Sequence, residues 1–243
     1  MTAKEKLPTG LPFVTVKIAQ SLDGRIATAA GDSQWISGPR SLRLAHQLRR
    51  EHDAIIVGIG TALADDPRLT VRLVDGRDPL RVVVDSRLRL PSRARVLAEG
   101  AAQRTLVATT EMADRKRVAE IERLGAEVLM LPAVENRAQV DLRALLEALG
   151  KRGIESALVE GGAGIITSLL RERLVDRLVV VIAPKIIGRG IEAIGELNVE
   201  RLREAIKFSE FKTRRLGPDI VFDGRIEWGD EHETMNEELK SDS

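Results

Sequence analysis

The stretch ALVEGGAG, residues 157–164, is followed by the helical pattern IITSLLRE of residues 165–172. A short apolar run that ends in glycines before a helix is typical of a βα unit in a parallel sheet. Glycines at such a turn let a ligand approach the backbone, and the free N–H groups at the helix start suit a phosphate or pyrophosphate. A tight turn whose glycines serve packing alone is the competing interpretation. Glu160 lies at the carboxyl end of this strand, where open α/β sheets place their ligands.

The same alternation of strand and helix patterns extends along most of the chain. Apolar, β-branched runs predict strands at residues 13–19, 54–57, 80–84, 105–108, 127–130, 157–160 and 178–183. Helical spacing predicts helices at residues 39–50, 114–124 and 164–172, and one from an Asp141 N-cap to residue 149. Two final strands, 205–213 and 219–226, are joined through a Gly-Pro turn and are expected to be antiparallel. We therefore predict an α/β fold with a mainly parallel sheet and an antiparallel C-terminal edge.

The first predicted strand differs from the others because polar residues alternate along it. Thr15 and Lys17 fall on one face of this strand. Strands covered on both faces are apolar throughout, so the alternation predicts that this face borders a cleft.

Composition excludes several classes of protein. The chain has 243 residues, with 38 basic and 37 acidic side chains, 2% aromatic residues and no cysteine. The charge balance argues against a nucleic-acid-binding protein, and the missing cysteines exclude disulfides, thiolate zinc sites and a cysteine nucleophile. No apolar run approaches the ~20 residues of a membrane span, and no secretory signal is recognisable. We expect a cytoplasmic protein with a disordered leader (1–11), one domain (12–228) and an acidic disordered tail (229–243).

Two segments carry side chains suited to a flat or phosphorylated ligand. GDSQWISG (31–38) places Trp35 beside Ser33, so the indole can wall a heteroaromatic ring, although a loop tryptophan is often only a hydrophobic plug. DSR (85–87) follows a predicted strand. An acid at such a position typically binds a ribose hydroxyl, whereas a Ser/Arg pair favours a 2′-phosphate. Both features are present, so this segment alone leaves NAD and NADP open.

Three further motifs give weaker signals. SLDGR (21–25) reads as a plain turn, and GIGTALADDP (58–67) begins like a dinucleotide fingerprint but lacks its third glycine. The adjacent Asp65 and Asp66 have no supporting ligand set, and the three histidines show no metal spacing. We therefore predict no metal site.

Together, these segments resemble the reductase domain of the bifunctional deaminase/reductase of riboflavin biosynthesis. The matching pieces are KIAQSLDGRIA (17–27), GDSQWIS (31–37), VGIGTALADDPRLTVR (57–72), PLRVVVDS (79–86), LVEGG (158–162) and APKIIG (183–188). They cover residues 13–226, and the joint occurrence of SLDGR, SQWIS and TxLADDPxLTVR is highly specific.

The resemblance implies a dihydrofolate-reductase-like three-layer fold and NADPH-dependent reduction of 5-amino-6-(5-phosphoribosylamino)uracil, by hydride transfer to C1′ of the ring-opened ribosyl imine. By motif position it assigns cofactor contacts to Ala19, Trp35, Thr61, Asp65, Ser86, Gly162, Ala163, Gly164, Ile165 and Ile166, in a loop that runs to Ser168. It assigns substrate contacts to Ser33, Arg49, Leu69, Arg72 and Glu160. We expect Glu160 to orient the sugar hydroxyls, Arg49 and Arg72 to hold the phosphate, and Lys17 to add a polar contact, which makes Glu160 and Lys17 the candidate catalytic residues.

Several alternatives stay open. The substrate can instead be 2,5-diamino-6-ribosylamino-4(3H)-pyrimidinone 5′-phosphate, with reduction before deamination, or another pteridine- or folate-like compound. A non-enzymatic nucleotide-binding module would be expected to lack Ser33, Arg49, Arg72 or Glu160, and all four are present. We expect no deaminase activity in this chain, because the zinc site of that domain needs cysteines. The resemblance also suggests a homodimer that binds a small molecule but no nucleic acid and no membrane.

Overall fold

The computed structural model describes residues 10–98, 100–134 and 138–229. The predicted leader and acidic tail therefore fall almost entirely outside the described residues. In chain order the strands are β1 (Phe13–Ser21), β2 (Arg25–Thr28), β3 (Ala54–Gly58), β4 (Leu80–Val84), β5 (Thr105–Thr109), β6 (Glu127–Met130), β7 (Ser156–Gly161), β8 (Arg177–Ala183), β9 (Gly190–Glu192), β10 (Lys207–Leu216) and β11 (Asp219–Glu227). The α-helices are α1 (Pro39–Glu51), α2 (Ile59–Asp65), α3 (Arg115–Arg123), α4 (Leu142–Lys151) and α5 (Ala163–Arg171).

Nine strands form one sheet in the order β10-β11-β8-β1-β7-β3-β4-β5-β6. The pairs from β8 to β6 are all parallel, whereas β11 is antiparallel to β8 and β10 is antiparallel to β11. The predicted mainly parallel sheet with an antiparallel C-terminal edge is confirmed. The central strands β1, β7 and β3 come from distant parts of the chain, and their carboxyl ends meet at one edge.

Helices cover both faces of the sheet and complete three layers. Because successive side chains of a strand point to opposite faces, β1 sends Val14, Val16 and Ile18 into a core shared with α4 and α5. On the other side, α1 packs Leu44 and Leu48 against β7, β8 and β11, and α2 and α3 complete a third cluster over β3–β5. The three-layer fold class expected from the resemblance is therefore confirmed.

Three elements were not predicted from the sequence. Strands β2 and β9 pair only with each other in a small antiparallel sheet, and β9 has three residues, too few for a recognisable alternation. Helix α2 has seven residues and begins in the glycine-containing segment after β3, which reads as a loop. It ends at Asp65, and the C-cap residue Asp66 has a left-handed φ of 41°.

The prediction that the Thr15 face of β1 borders a cleft is only partly right. Thr15 is fully buried, and its hydroxyl lies 2.9 Å from Nε2 of His52, which follows α1. Lys17 and Ala19, further along the same face, do line a cavity. The polar alternation of β1 therefore coincides with two features: an internal hydrogen bond at Thr15 and a cavity at Lys17.

Candidate active site

A cavity of about 930 Å³ opens at the carboxyl ends of β1, β3, β4 and β7. Small-molecule sites typically occupy about 300–1,000 Å³, so the space is large enough for an extended ligand. The structure brings most of the predicted site residues to its walls: Lys17, Ala19, Ser33, Trp35, Thr61, Asp65, Ser86, Glu160 and residues 162–166, with Ser168.

Two helices begin at this cavity, α2 after β3 and α5 after β7. Their N-cap residues, Gly58 and Gly162, provide no side-chain cap, so the first N–H groups of both helices are left for another acceptor. The strands that precede these helices are neighbours in the sheet. Two helix N-termini side by side, each with a positive dipole end, suit a pyrophosphate.

Glycine is required where the two helix starts approach each other. Gly161 has a φ of 137°, and a Cβ on Gly162 would lie 3.0 Å from Thr61 Oγ1 of α2. A Cβ on Gly164, in contrast, would meet nothing within 4 Å. The first two glycines therefore serve the backbone path and packing, whereas the third leaves open space at the start of α5.

The loop that carries Ser33 and Trp35 forms one wall of the cavity. The Ser33 hydroxyl donates to Asp65 Oδ1 at 2.8 Å, which ties the loop to the end of α2. Lys185 Nζ donates to the carbonyl of Trp35 at 2.6 Å. Trp35 is 75% exposed. An indole that borders the cavity without being packed into the core is available to contact a bound ring.

The segment after β4 carries the DSR motif, and only some of its side chains face the cavity. Asp85 is fully buried and accepts a hydrogen bond from the Leu90 backbone N–H at 2.7 Å. Burial raises the pKa of Asp85, against the opposing effects of the Leu90 N–H group and Arg89. Asp85 therefore does not line the cavity, whereas Ser86, Arg87 and Arg89 do.

The opposite part of the cavity contains a cluster of buried charges. Glu160 of β7 accepts hydrogen bonds from Arg49 Nε and Nη2 at 2.7 and 2.6 Å, and the two side chains are 11% and 10% exposed. Although burial favours the neutral acid, the Arg49 guanidinium and then Lys17 lower the pKa of Glu160, so the carboxylate is ionised. Burial lowers the pKa of Lys17; Glu160 opposes this effect and Arg49 adds to it.

Three predicted substrate residues, Arg49, Leu69 and Arg72, lie beside the cavity rather than in its wall. Arg49 connects Glu160 to the Thr70 carbonyl, to which its Nη1 donates at 3.1 Å. Leu69 is only 2% exposed, so almost none of this residue is open to a ligand. Arg72 is exposed, and its Nη1 donates to Thr70 Oγ1 at 2.6 Å.

The SLDGR motif is a structural turn, as its composition indicates. Asp23 accepts hydrogen bonds from the Ser21 hydroxyl at 2.6 Å and from the backbone N–H groups of Ile187 and Gly188 at 3.1 and 2.6 Å. These bonds, with the Ser21 hydroxyl first, lower the pKa of Asp23 to about 2. The motif therefore joins the β1–β2 turn to the loop after β8.

Sequence reasoning missed part of the cavity wall. The only feature of the sequence that points to Arg89 is its position four residues after Asp85. Ile26 and Ile191 belong to the small sheet of β2 and β9, which was not predicted. Among the described residues, no three His, Asp or Glu side chains are placed to hold a metal ion. No helix within the described ranges is both long and apolar enough to cross a bilayer.

The fold and the cavity together define a class of α/β proteins with a mainly parallel sheet and a small-molecule cavity at the carboxyl ends of its central strands. Within that class, the chain belongs to the family of the RibD C-terminal domain, which matches residues 12–222.

Individual relatives agree with this assignment. The chain is 45% identical, over 86% of its length, to the 2,5-diamino-6-ribosylamino-4(3H)-pyrimidinone 5′-phosphate reductase of Methanothermobacter thermautotrophicus and covers 96% of that protein. It is 39% identical to the riboflavin biosynthesis protein RibD of Aquifex aeolicus, also over 86% of the chain but only 56% of that protein. Among solved structures, Acinetobacter baumannii RibD superposes with a TM-score of 0.77 at 30% identity, covering 90% of this chain and 59% of that one. The chain thus spans little more than half of the RibD proteins.

Proposed function

We propose that this protein catalyses the NADPH-dependent reduction of 5-amino-6-(5-phosphoribosylamino)uracil to its ribitylamino product. The observation that carries the proposal is one cavity with two differently built parts. Two uncapped helix starts offer backbone N–H groups to a dinucleotide, and Lys17 and Glu160, which Arg49 holds from behind the wall, offer charged groups to a phosphorylated sugar. The names of the relatives support the same reaction class.

The choice of NADPH rests on the segment after β4. A 2′-phosphate needs cationic or hydroxyl donors, whereas a free ribose hydroxyl pair is usually held by an acid. Asp85 is buried and bonded to the Leu90 N–H group, and Ser86, Arg87 and Arg89 face the cavity. These residues fit a 2′-phosphate, and the open space at Gly164 fits a pyrophosphate close to the backbone of α5.

The proposed chemistry needs positioning more than a nucleophile. When bound, the nicotinamide supplies a hydride for C1′ of the ring-opened ribosyl imine, which is already electrophilic. The ionised Glu160 uses its remaining lone pairs to accept hydrogen bonds from sugar hydroxyls, because Arg49 occupies one side of each oxygen. Trp35, Ser33 and Ala19 border the same space and restrict where the ring lies.

Lys17 is the group that we assign to proton handling at the substrate. Its side chain lines the cavity on the strand next to that of Glu160, and burial lowers its pKa. A buried ammonium with a lowered pKa releases a proton more readily than an exposed lysine. Arg49 and Arg72 are assigned to the substrate phosphate, from positions beside Glu160 and on the segment that Arg49 contacts.

The diaminopyrimidinone phosphate is a second candidate substrate. The archaeal relative is matched over nearly its whole length, and its name places reduction on the diamino compound. The two substrates differ in one exocyclic group of the ring. A choice between them therefore depends on the ring pocket and leaves the roles of Glu160, Arg49 and Lys17 unchanged.

The decisive experiment measures oxidation of NADPH by the purified protein with each of the two pyrimidines side by side. NADH serves as the matched control for the coenzyme, and a folate substrate as the control for the ring. The proposal expects turnover with at least one pyrimidine and a higher kcat/KM with NADPH. Turnover with the folate alone, or with neither pyrimidine, would overturn it.

The expected homodimer is a further proposal. β10 is an outer strand of the sheet, and Phe211 on this strand is 61% exposed. An exposed strand edge with an apolar side chain is a surface that a second copy can cover. Light scattering after size-exclusion chromatography tests this state, and a monomer at assay concentration would contradict it. The cytoplasmic location stays a prediction.

A further inference from the structure

The connection between α2 and β4, residues 66–79, contains neither helix nor strand. It nevertheless carries Arg72, which the proposed function assigns to the substrate phosphate, and Leu69, which motif position assigns to the substrate. A segment without its own backbone ladder needs other partners for its polar groups. One face of α1 supplies them.

Three side chains of α1, spaced three residues apart, contact successive points of this connection. Arg49 Nη1 donates to the Thr70 carbonyl at 3.1 Å, His46 Nδ1 accepts from the Arg72 backbone N–H at 2.9 Å, and Arg43 Nη1 donates to the Leu73 carbonyl at 2.6 Å. Residues i, i+3 and i+6 lie along one face of a helix, so this arrangement follows from the helical repeat.

Helix α1 is itself fixed at both ends. At its start, Asp219 of β11 accepts hydrogen bonds from the Gly38 N–H group and the Ser41 hydroxyl, and so replaces the missing N-cap side chain. After its end, His52 contacts Thr15 of β1. The helix is therefore a rigid support, and the segment bound to the face that carries Arg43, His46 and Arg49 has a defined position relative to β1 and β7.

His46 is the most buried of these three residues, at 1% exposure. A backbone N–H is only a donor, so Nδ1 must be the unprotonated nitrogen and the ring hydrogen must sit on Nε2. Burial first, and then the positive charges of Arg49 and Arg72, lower the pKa of His46 to about 4. The ring is accordingly neutral at neutral pH and keeps its acceptor.

We infer that His46 is a positioning residue that fixes the backbone at Arg72 to α1. Through it, one helix carries both Arg49, which holds Glu160, and the segment that presents the Arg72 side chain. The substrate part of this inference rests on the proposed function. The structural part, a hydrogen bond from the Arg72 amide to Nδ1, does not.

Three substitutions of His46 separate this role from general packing. In His46→Asn the side-chain oxygen replaces Nδ1 as the acceptor, in His46→Gln the amide group reaches the position of Nε2 instead, and His46→Ala removes both. We expect the Arg72 amide to be protected from hydrogen exchange in the wild type and in His46→Asn, and to lose protection by about tenfold or more in the other two. His52→Asn is the matched control, because His52 directly follows α1 but contacts Thr15 rather than the 66–79 connection. This variant should leave the Arg72 amide protected.

The kinetic arm tests the consequence for the substrate. We expect KM for the pyrimidine to rise about five- to twentyfold in His46→Gln and His46→Ala, with kcat within about threefold and KM for NADPH unchanged, because a lost positioning contact weakens uniform binding. His46→Asn should restore most of the loss.

Two results would overturn the inference. One is an Arg72 amide that stays protected in His46→Ala; the other is equal behaviour of the Asn and Gln variants. If a variant does not fold, nitrogen chemical shifts of the wild-type imidazole still decide, since a proton on Nδ1 at neutral pH contradicts the contact. If the wild type reduces neither pyrimidine, the proposed function fails while the exchange and tautomer results still judge the role of His46.

Discussion

The substitution Glu160→Gln tests the charged cluster most directly. It keeps the shape of the side chain and removes one negative charge from a pair whose members are about nine-tenths buried. The new amide oxygen can accept from only one of the two Arg49 donors, and its NH₂ group faces the other. The guanidinium and the neighbouring Lys17 are then left without their carboxylate.

The magnitude follows from that unpaired charge. Removing one partner of a buried ion pair costs about 3–5 kcal/mol, and the retained amide contact places Glu160→Gln near the lower end, at about 3 kcal/mol. Loss of the sugar-orienting carboxylate should lower kcat/KM for the pyrimidine by about 10²-fold, because a misplaced reacting group forfeits much of the positioning advantage. Affinity for NADPH should change by less than about threefold, since the backbone cradle at α2 and α5 is untouched.

The assay combines urea unfolding, fluorescence titration of NADPH and steady-state turnover on the same preparations. The double variant Glu160→Gln/Arg49→Met is the matched control, because it also removes the unpaired guanidinium. We expect it to regain at least about 1 kcal/mol of stability while staying inactive. Equal losses of NADPH affinity and turnover in the single variant, or a double variant less stable than the single one, would refute the reasoning.

Three further predictions concern other parts of the molecule. Gly164→Ala should stabilise α5 by up to about 0.5 kcal/mol yet weaken NADPH binding about tenfold, since its Cβ enters open space at the proposed pyrophosphate site; unchanged binding in a titration would contradict this. Arg87→Ala with Arg89→Ala should raise KM for NADPH about tenfold and leave KM for NADH unchanged, so a parallel rise in both would refute recognition of the 2′-phosphate. Burial raises the pKa of Asp176 to about 6, above its ordinary 3.8, so the folded state binds the proton more tightly than the unfolded state does. The protonated carboxyl therefore adds to the free energy of unfolding below about pH 4, and this contribution is lost as the pH rises to about 6. Asp176→Asn should therefore flatten the pH dependence of unfolding and be about 2 kcal/mol more stable than the wild type at pH 7, which urea titrations at several pH values check.

The layers of the fold could be predicted from the sequence because they follow from local periodicity. The run at residues 54–57 is apolar throughout and the run at 80–84 is apolar except for Arg81, as expected for parallel strands covered on both faces. Helix α4 carries its own N-cap at Asp141, and its Leu side chains occur at helical spacing. Elements α2 and β9 are too short for a recognisable periodicity. Their formation depends on partners distant in sequence, so the sequence pattern did not predict them.

The candidate site also combines features that the local sequence predicts with features that only the fold creates. The helix start at Gly162 and the loop at Trp35 are local features, so their motifs pointed to them directly, whereas the helix start at Gly58 was not predicted. The pairing of Arg49 with Glu160 joins residues 111 positions apart, and the burial of Asp85 depends on the turn to Leu90. Motif position alone placed Arg49 at the substrate, but its contact with Glu160 and its second contact with Thr70 required the fold.

The two parts of the cavity, one built from backbone N–H groups and one from side chains, should respond differently to substitution. The proposed pyrophosphate site relies on backbone N–H groups, which no side-chain substitution removes, so it should fail only where a new atom fills the space or changes the backbone path. The proposed substrate part relies on side chains that hold one another, from Arg49 and Glu160 to the Arg72 backbone on His46. A change at any of these positions reaches the others, because each loses a buried partner. Substitutions on the inner face of α1 should therefore impair use of the pyrimidine well before they impair binding of the dinucleotide.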